Sequence, residues 1–315
     1  MNPSIRASVL LCTLVYVLAA SPTFAQECTP SRWGPDDQIG NANLITAESV
    51  LRASKLIKTG KAYSLGITID RSTPAFAPRV LNLYVVQPNQ QESARPSAGM
   101  TYNDDIFEGW LGIGPQIDGL GHLGHDGEYY NCNNARDFAQ MTGLTKLGIE
   151  NVPPIVARGI VLDMAGHYGV DHLAGGQAFT VEDVKAVEKK QGTPIREGDV
   201  VLFHTGWTDA KLVSDPDTWV STEPGQSEAV ALYVAGKGVV AVGSDTWGLD
   251  VVPPENPNRP YQGHVTYLKD NGIYIFETMN TGSLVRDDAF EFLFVLGQAK
   301  VRGAVQMIIN PIAIR

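Results

Sequence analysis

The residues best suited to chemistry crowd into one short stretch, DGLGHLGHDGEYYN, residues 118 to 131. It holds two of the chain's six histidines, two aspartates, a glutamate and four glycines. Neither the helical period nor the alternation of a strand runs through it. Asp118 and His122 are four apart, and His125 and Asp126 follow, so carboxylates and imidazoles can reach a common point. Gly119, Gly121, Gly124 and Gly127 let the backbone wrap tightly around it. Imidazole and carboxylate donors together suit Zn²⁺ or Mn²⁺, and the lack of any nearby cysteine except Cys132 argues against a structural zinc knuckle. An imidazole beside a carboxylate is also commonly a simple hydrogen-bonded pair, so a polar loop without a metal is the competing reading.

The elements that must position this stretch alternate between helix and strand. Residues 46 to 59 (TAESVLRASKLIKT) carry a helical pattern, with Thr46 as N-cap and Gly60 just past the end. Apolar runs predict strands over 63–69 and 80–86. Thr180 and Asp183 form a capping-box start for a helix running to about Gln191, stopped by Gly192. A buried strand over 199–204 (DVVLFH), a helix from about Ser227 to Ala235 and a strand over 239–244 (VVAVGS) have the spacing of a parallel crossover. Further strands are expected over 272–277 and 304–309. The fold class is therefore α/β or α+β with a mixed sheet and flanking helices. No repeat or long linker divides it, and the polar run from Pro253 to Pro260 reads as a surface loop.

Polar groups at strand ends are where chemistry tends to sit. Asp245 follows one strand, Glu277 ends another, and His264 lies 13 residues before it. His167 and His172 have a spacing compatible with a second metal site, but a polar loop explains them better. His204, Asp163 and Asp245 read as hydrogen-bonding groups. Trp110, Trp207 and Trp247 are candidates for an aromatic substrate pocket or for ordinary core.

The chain opens with Arg6, an apolar run from Ala7 to Ala20 and small residues ending in Thr23-Phe24-Ala25, the layout of a secretory signal peptide. The run is shorter than the roughly 20 residues of a spanning helix. Residues 1–25 are accordingly expected to be removed, leaving 26–315 as one periplasmic or secreted domain with no membrane attachment. Cleavage takes Arg6 and no acid, moving the net charge from −10 to −11. Such a balance gives nothing for nucleic acid to select. Cys28 and Cys132 remain, either bridged in an oxidising compartment or as two buried thiols.

With these residues in view, the stretch resembles the metal loop of the cyclase-like metal-dependent hydrolases, the family of kynurenine formamidase and isatin hydrolase. The familiar motif there is His-x-Gly-Thr-His-x-Asp-x-Pro-x-His. This chain resembles a longer branch, through Asp118, Leu120, His122, His125, Asp126, Gly127, Tyr130 and Asn131. Arg32 to Leu44 is similar to the family's entry segment, Ala157 to Asp163 to its central strand, and His204-Thr205-Gly206-Trp207 to its threonine-glycine-tryptophan turn. Gly243 to Thr246 is similar to its next strand end, and His264 through Glu277 to its late metal positions, one residue farther apart than in the short form. Essentially all of residues 26–315 is covered in order.

The resemblance implies a single-domain swivelling β/β/α fold and a divalent metal, Zn²⁺ or Mn²⁺, on Asp118, His122, His264 and Glu277. Asp118 stands where the motif has its first histidine. The motif aspartate falls on Gly124, so either Asp126 takes its place after a small shift or one position of a two-metal site is lost. His125 is the expected proton carrier, with Glu277 as the other candidate. The implied activity is hydrolysis of a formamide, lactam, ester or lactone of a small carbonyl substrate by metal-activated water, in the manner of an arylformamidase or cyclic amidase, in a homo-oligomer. A lyase, dehydratase or cyclase using the same metal, and a non-catalytic periplasmic binding protein, remain open alternatives.

Overall fold

A computed structural model describes residues 28–86 and 102–315. The expected signal segment lies outside them. Eleven strands carry the architecture: β1 (Ala62–Ser64), β2 (Leu81–Val86), β3 (Asp104–Gly109), β4 (Gln116–Asp118), β5 (Ile155–Asp163), β6 (Val200–His204), β7 (Ala241–Ser244), β8 (Tyr274–Glu277), β9 (Glu291–Leu296), β10 (Gln306–Ile308) and β11 (Ile312–Ile314). Nine of them form one mixed sheet in the order β1-β11-β9-β5-β6-β7-β8-β4-β10. The middle four, β5 to β8, run parallel. The remaining neighbours are antiparallel.

The parallel strands read as near-continuous apolar runs because both their faces are covered. Val200, Val201, Leu202 and Phe203 of β6 are all fully buried, as are Ala241 and Val242 of β7. Each such aliphatic or aromatic side chain contributes about 1.5–3 kcal/mol on leaving water. The expected mixed α/β architecture is what forms.

Three helices follow their sequence signals. In α1 (Ala47–Ser54) the Thr46 side chain accepts from the Ser49 amide and the Ser49 hydroxyl returns the bond. This helix stops five residues short of the pattern, because the Thr59 and Gly60 amides donate instead to the carbonyl of Arg315. α2 (Val181–Gln191) has the Thr180–Asp183 capping box and ends at Gly192, whose φ of 70° closes the left-handed C-cap. α3 (Glu228–Ala235) is capped by Ser227 and lies between β6 and β7, which pair in parallel as the spacing predicted.

Two expected strands differ. The run over 63–69 forms a strand only through Ser64, since the Gly66 amide is taken by the Asn310 side chain at 3.0 Å. The run over 80–86 does form β2, but it pairs with β3 as a separate two-stranded hairpin outside the main sheet. The acidic start of β3 (DDIFEG) gave little strand signal.

Candidate metal centre

The site begins with register. β4 lies between β8 and β10, with Asp118 opposite Ile275 and Gln306, and Gln116 opposite Glu277. Directly opposed residues share a face of the sheet, as do residues two apart on one strand. Gln116, Asp118, Glu277 and Gln306 therefore stand together on one face, although 190 positions separate the first from the last. The Gln116 amide donates to Asp118 Oδ1 at 3.1 Å and to Glu277 Oε2 at 2.6 Å, and the Gln306 amide donates to the same Oδ1 at 2.7 Å.

The other Asp118 oxygen has no such support. Asp118 is completely buried, and its Oδ2 has no hydrogen-bond partner among the described residues. A buried oxygen left this way costs about 1–3 kcal/mol or more, and an ion is one of the few things that removes the penalty. Two imidazole nitrogens flank it at nearly equal distance: His264 Nε2 at 3.8 Å and His122 Nε2 at 3.9 Å. Donor atoms of Asp118, His264 and Glu277 all lie within 4.8 Å of one another. That span is close to twice a metal–oxygen or metal–nitrogen bond of about 2.1 Å, so the group fits a divalent cation.

His264 is held from behind. It ends a short helical turn, Gln262–His264, that runs into a π-helix over Val265–Asp270, a local irregularity frequent at functional sites. Its Nδ1 lies 2.9 Å from Asp250 Oδ2 and its Nε2 3.1 Å from Glu277 Oε1. The chain continues through Asp250 Oδ1, which accepts from Gln226 Nε2, to the hydroxyl of Tyr267, which donates to Gln226 Oε1. Gly263 makes room for it: a Cβ there would meet Asp250 Oδ1 at 1.9 Å.

Burial sets the electrostatics. It raises the Glu277 carboxyl to about 7, with the neighbouring Asp118 charge second. For His264, burial disfavours the charged ring, but the hydrogen bonds to Asp250 and Glu277 outweigh it and hold the imidazole well above its usual range. His122 is pushed down by burial, so its ring is neutral near pH 7. A hydrogen bond joins Nε2 of His264 and Oε1 of Glu277, and a cation taking those atoms must displace its proton.

The same structure separates two residues from this group. His125 and Asp126 sit at the tip of a tight turn in which the His125 and Glu128 backbones exchange both hydrogen bonds, at 2.8 and 2.9 Å. The two central residues, Asp126 and Gly127, have φ of 50° and 79°. Positive φ at both is the requirement of a type I′ hairpin turn, for which Asp-Gly is a favoured pair. The Asp126 side chain is 91% exposed and that of His125 58%, and Asp126 Oδ2 lies 3.4 Å from His125 Nδ1. Asp126 is therefore not placed at the motif aspartate's position. Gly124 cannot fill that position either, because a Cβ there would lie 2.4 Å from the Glu128 carbonyl oxygen.

The remaining sequence candidates are accounted for elsewhere. His167 pairs with Asp183 at 3.0 Å, and His204 Nδ1 lies 2.8 Å from the Thr281 hydroxyl. Asp163 caps a helical turn through the Gly166 amide, and Asp245 accepts from the amide and hydroxyl of Thr205. Of the three tryptophans, Trp207 is core, Trp110 is exposed, and Trp247 lines a cavity of about 150 Å³ that opens on His122, His264 and Glu277. Larger clefts lie elsewhere, one of about 360 Å³ beside Cys28 and Cys132, but none of the clustered donors faces it. Those cysteines are bridged, with Cα atoms 5.6 Å apart. Nearby, Asn131 accepts from the Ser31 amide and donates to the carbonyls of Gly34 and Asp37, docking the entry segment onto the loop. Sequence reasoning missed Gln116, Gln306, Asp250, Arg79, Tyr261 and Glu223, all of which support or line the site.

A mixed α/β sheet thus buries, at its antiparallel end, an Asp, His and Glu cluster whose donors could hold a metal ion. More particularly, the chain belongs to the Cyclase family, whose profile matches residues 63–251, more than half its length. A crystal structure described as a novel cyclase is 29% identical, with a TM-score of 0.82 over 90% of this chain and 96% of that one. Isatin hydrolase A from Ralstonia solanacearum shares the fold at 18% identity and a TM-score of 0.63, over 86% and 98% of the two chains. A structure described as a predicted metal-dependent hydrolase from Bacillus stearothermophilus does so at 16% and 0.53, over 80% and 97%. No curated protein sequence matches.

Proposed function

We propose that the protein is a metal-dependent hydrolase that cleaves a C–N amide bond, as in a formamide or lactam, or an ester or lactone bond of a small carbonyl compound. The observation that carries this reading is the orphaned Asp118 Oδ2, flanked by two imidazole nitrogens and a carboxylate. Family membership and the fold shared with isatin hydrolases support it.

Asp118, His264 and Glu277 would hold the ion, Zn²⁺ or Mn²⁺, with His122 as fourth donor. When bound, a divalent ion polarises a carbonyl and makes hydroxide available near neutral pH. The protein's own contribution is positional. Asp250 turns the His264 ring so that Nε2 points inward, while Gln116 and Gln306 occupy Asp118 Oδ1 and leave Oδ2 to the ion. Phe76, Leu123 and Trp247 supply the apolar part of the cavity wall. The overall step consumes one water: its oxygen bonds to the carbonyl carbon, the C–N or C–O bond breaks, and a proton ends on the leaving atom. His125 and Asp126 have no part in this reading, because both face solvent.

The test is turnover by metal-replete protein of aryl formamides, isatin and simple lactones. Hydrolysis of one class that chelation abolishes and metal restores is the expected result; no hydrolysis of any of them defeats the proposal.

We also propose export and self-association. A bridge between Cys28 and Cys132 persists in oxidising compartments, which supports a periplasmic or secreted location. One face of the β2–β3 hairpin exposes Leu83, Val85 and Phe107, an apolar patch of the kind that a second copy covers. Light scattering showing a monomer at micromolar concentration would reject self-association.

A further inference from the structure

We infer that the substrate carries a carboxylate beside its scissile carbonyl, and that Arg79 binds it against a flat aromatic wall. This deepens the hydrolase reading and rests on it for the reaction. Arg79 lines the same 150 Å³ cavity as His122, His264 and Glu277. Its Nη1 donates to the Gly112 carbonyl at 2.6 Å, which anchors a half-buried side chain that lines the cavity. Among the described residues, and unlike the paired arginines Arg158 and Arg259, it has no carboxylate within ion-pair distance, and it is the one arginine lining this cavity.

The aromatic wall beside it is braced by its own neighbours. Phe76 and Arg79 bracket one turn, closed by the Arg79 amide on the Phe76 carbonyl at 3.0 Å. Phe76 stacks on Trp247 with ring centroids 5.4 Å apart and planes 20° from parallel. Trp247 is fixed in turn, since its amide and that of Gly248 donate to the buried Glu223 Oε2 at 2.8 and 3.1 Å. A stacked aromatic pair beside a guanidinium fits a planar ring bearing an anionic group, because the guanidinium fork matches a carboxylate and the ring faces match a ring. An aryl amide or ester with a ring carboxylate satisfies both at once, leaving its carbonyl for the cluster.

The experiment compares binding of benzoate and nitrobenzene, nearly isosteric and neither hydrolysable, to the metal-replete full chain by calorimetry. Benzoate is expected to bind about 10- to 100-fold more tightly, the range of a charge-assisted bond. Arg79→Gln is expected to collapse that ratio to about twofold, and Arg79→Lys, which keeps the charge without the fork, to retain part of it. Equal affinities in the unaltered protein overturn the inference. So does a ratio that survives Arg79→Gln, which would place the carboxylate on the metal. If Arg79→Gln fails to fold by circular dichroism, an unchanged ratio in Arg79→Lys overturns it as well. Because turnover is not read, failure to hydrolyse any amide or ester defeats the hydrolase reading separately.

Discussion

The imidazole of His264 is clamped between two carboxylates: Nδ1 lies 2.9 Å from Asp250 Oδ2 and Nε2 lies 3.1 Å from Glu277 Oε1. Asp250 thereby sets which nitrogen faces the cluster. Asp250→Ala should weaken cation affinity about 10- to 100-fold, the usual cost of losing an orienting partner, while His264→Ala should lose stoichiometric binding. Chelator-competition titrations check both, and an Asp250→Ala protein of unchanged affinity would remove Asp250 from this role.

Glu223 gives a pH signature in stability. It is fully buried, and burial first, then the nearby Glu277 charge, raises its carboxyl well above the usual range. The folded state therefore keeps a proton that the unfolded chain releases above about pH 4.5, so this group's contribution is full below that pH and is lost as pH rises. Glu223→Gln, which stays neutral, should melt progressively higher than the unaltered protein between pH 4.5 and 8. A melting difference that is constant across that range contradicts the account.

The Cys28–Cys132 bridge closes a sequence separation of 104 residues. Replacing both cysteines by serine should cost about 3 to 5 kcal/mol in denaturant unfolding, as expected for a loop of that length. A loss under about 1 kcal/mol would mean that native strain or residual unfolded structure cancels the constraint.

Restoring the familiar motif aspartate should fail. At Gly124 a Cβ would meet the Glu128 carbonyl oxygen at 2.4 Å and the Tyr129 ring at 2.7 Å. Gly124→Asp should destabilise by about 1–3 kcal/mol, the cost of overpacking a fitted site, and add no second metal. Two ions per chain in that variant, by elemental analysis, would refute this.

Much of the centre was legible because its residue types stand out at strand ends. Asp118, His264 and Glu277 are acids and an imidazole beside apolar runs, and the structure brings those three together. The turn at Asp126-Gly127 was legible too, as a hairpin pair, but the density of polar groups around it favoured a metal loop. The supporting residues were not. Gln306 meets Asp118 only through the register of β4 and β10, and Asp250 meets His264 only because Gly263 lets the chains approach. Neither glutamine nor arginine announces such a role by spacing. The same holds for the fold: α2 and its caps follow local rules, whereas β4 is a three-residue strand defined by its neighbours alone.

The most direct measurement is anomalous diffraction from crystals grown with Zn²⁺ or Mn²⁺. The account predicts one peak within about 2.0–2.3 Å of Asp118 Oδ2, His264 Nε2 and a Glu277 oxygen. A peak at His125 and Asp126, or none at the cluster in metal-replete crystals, would contradict it.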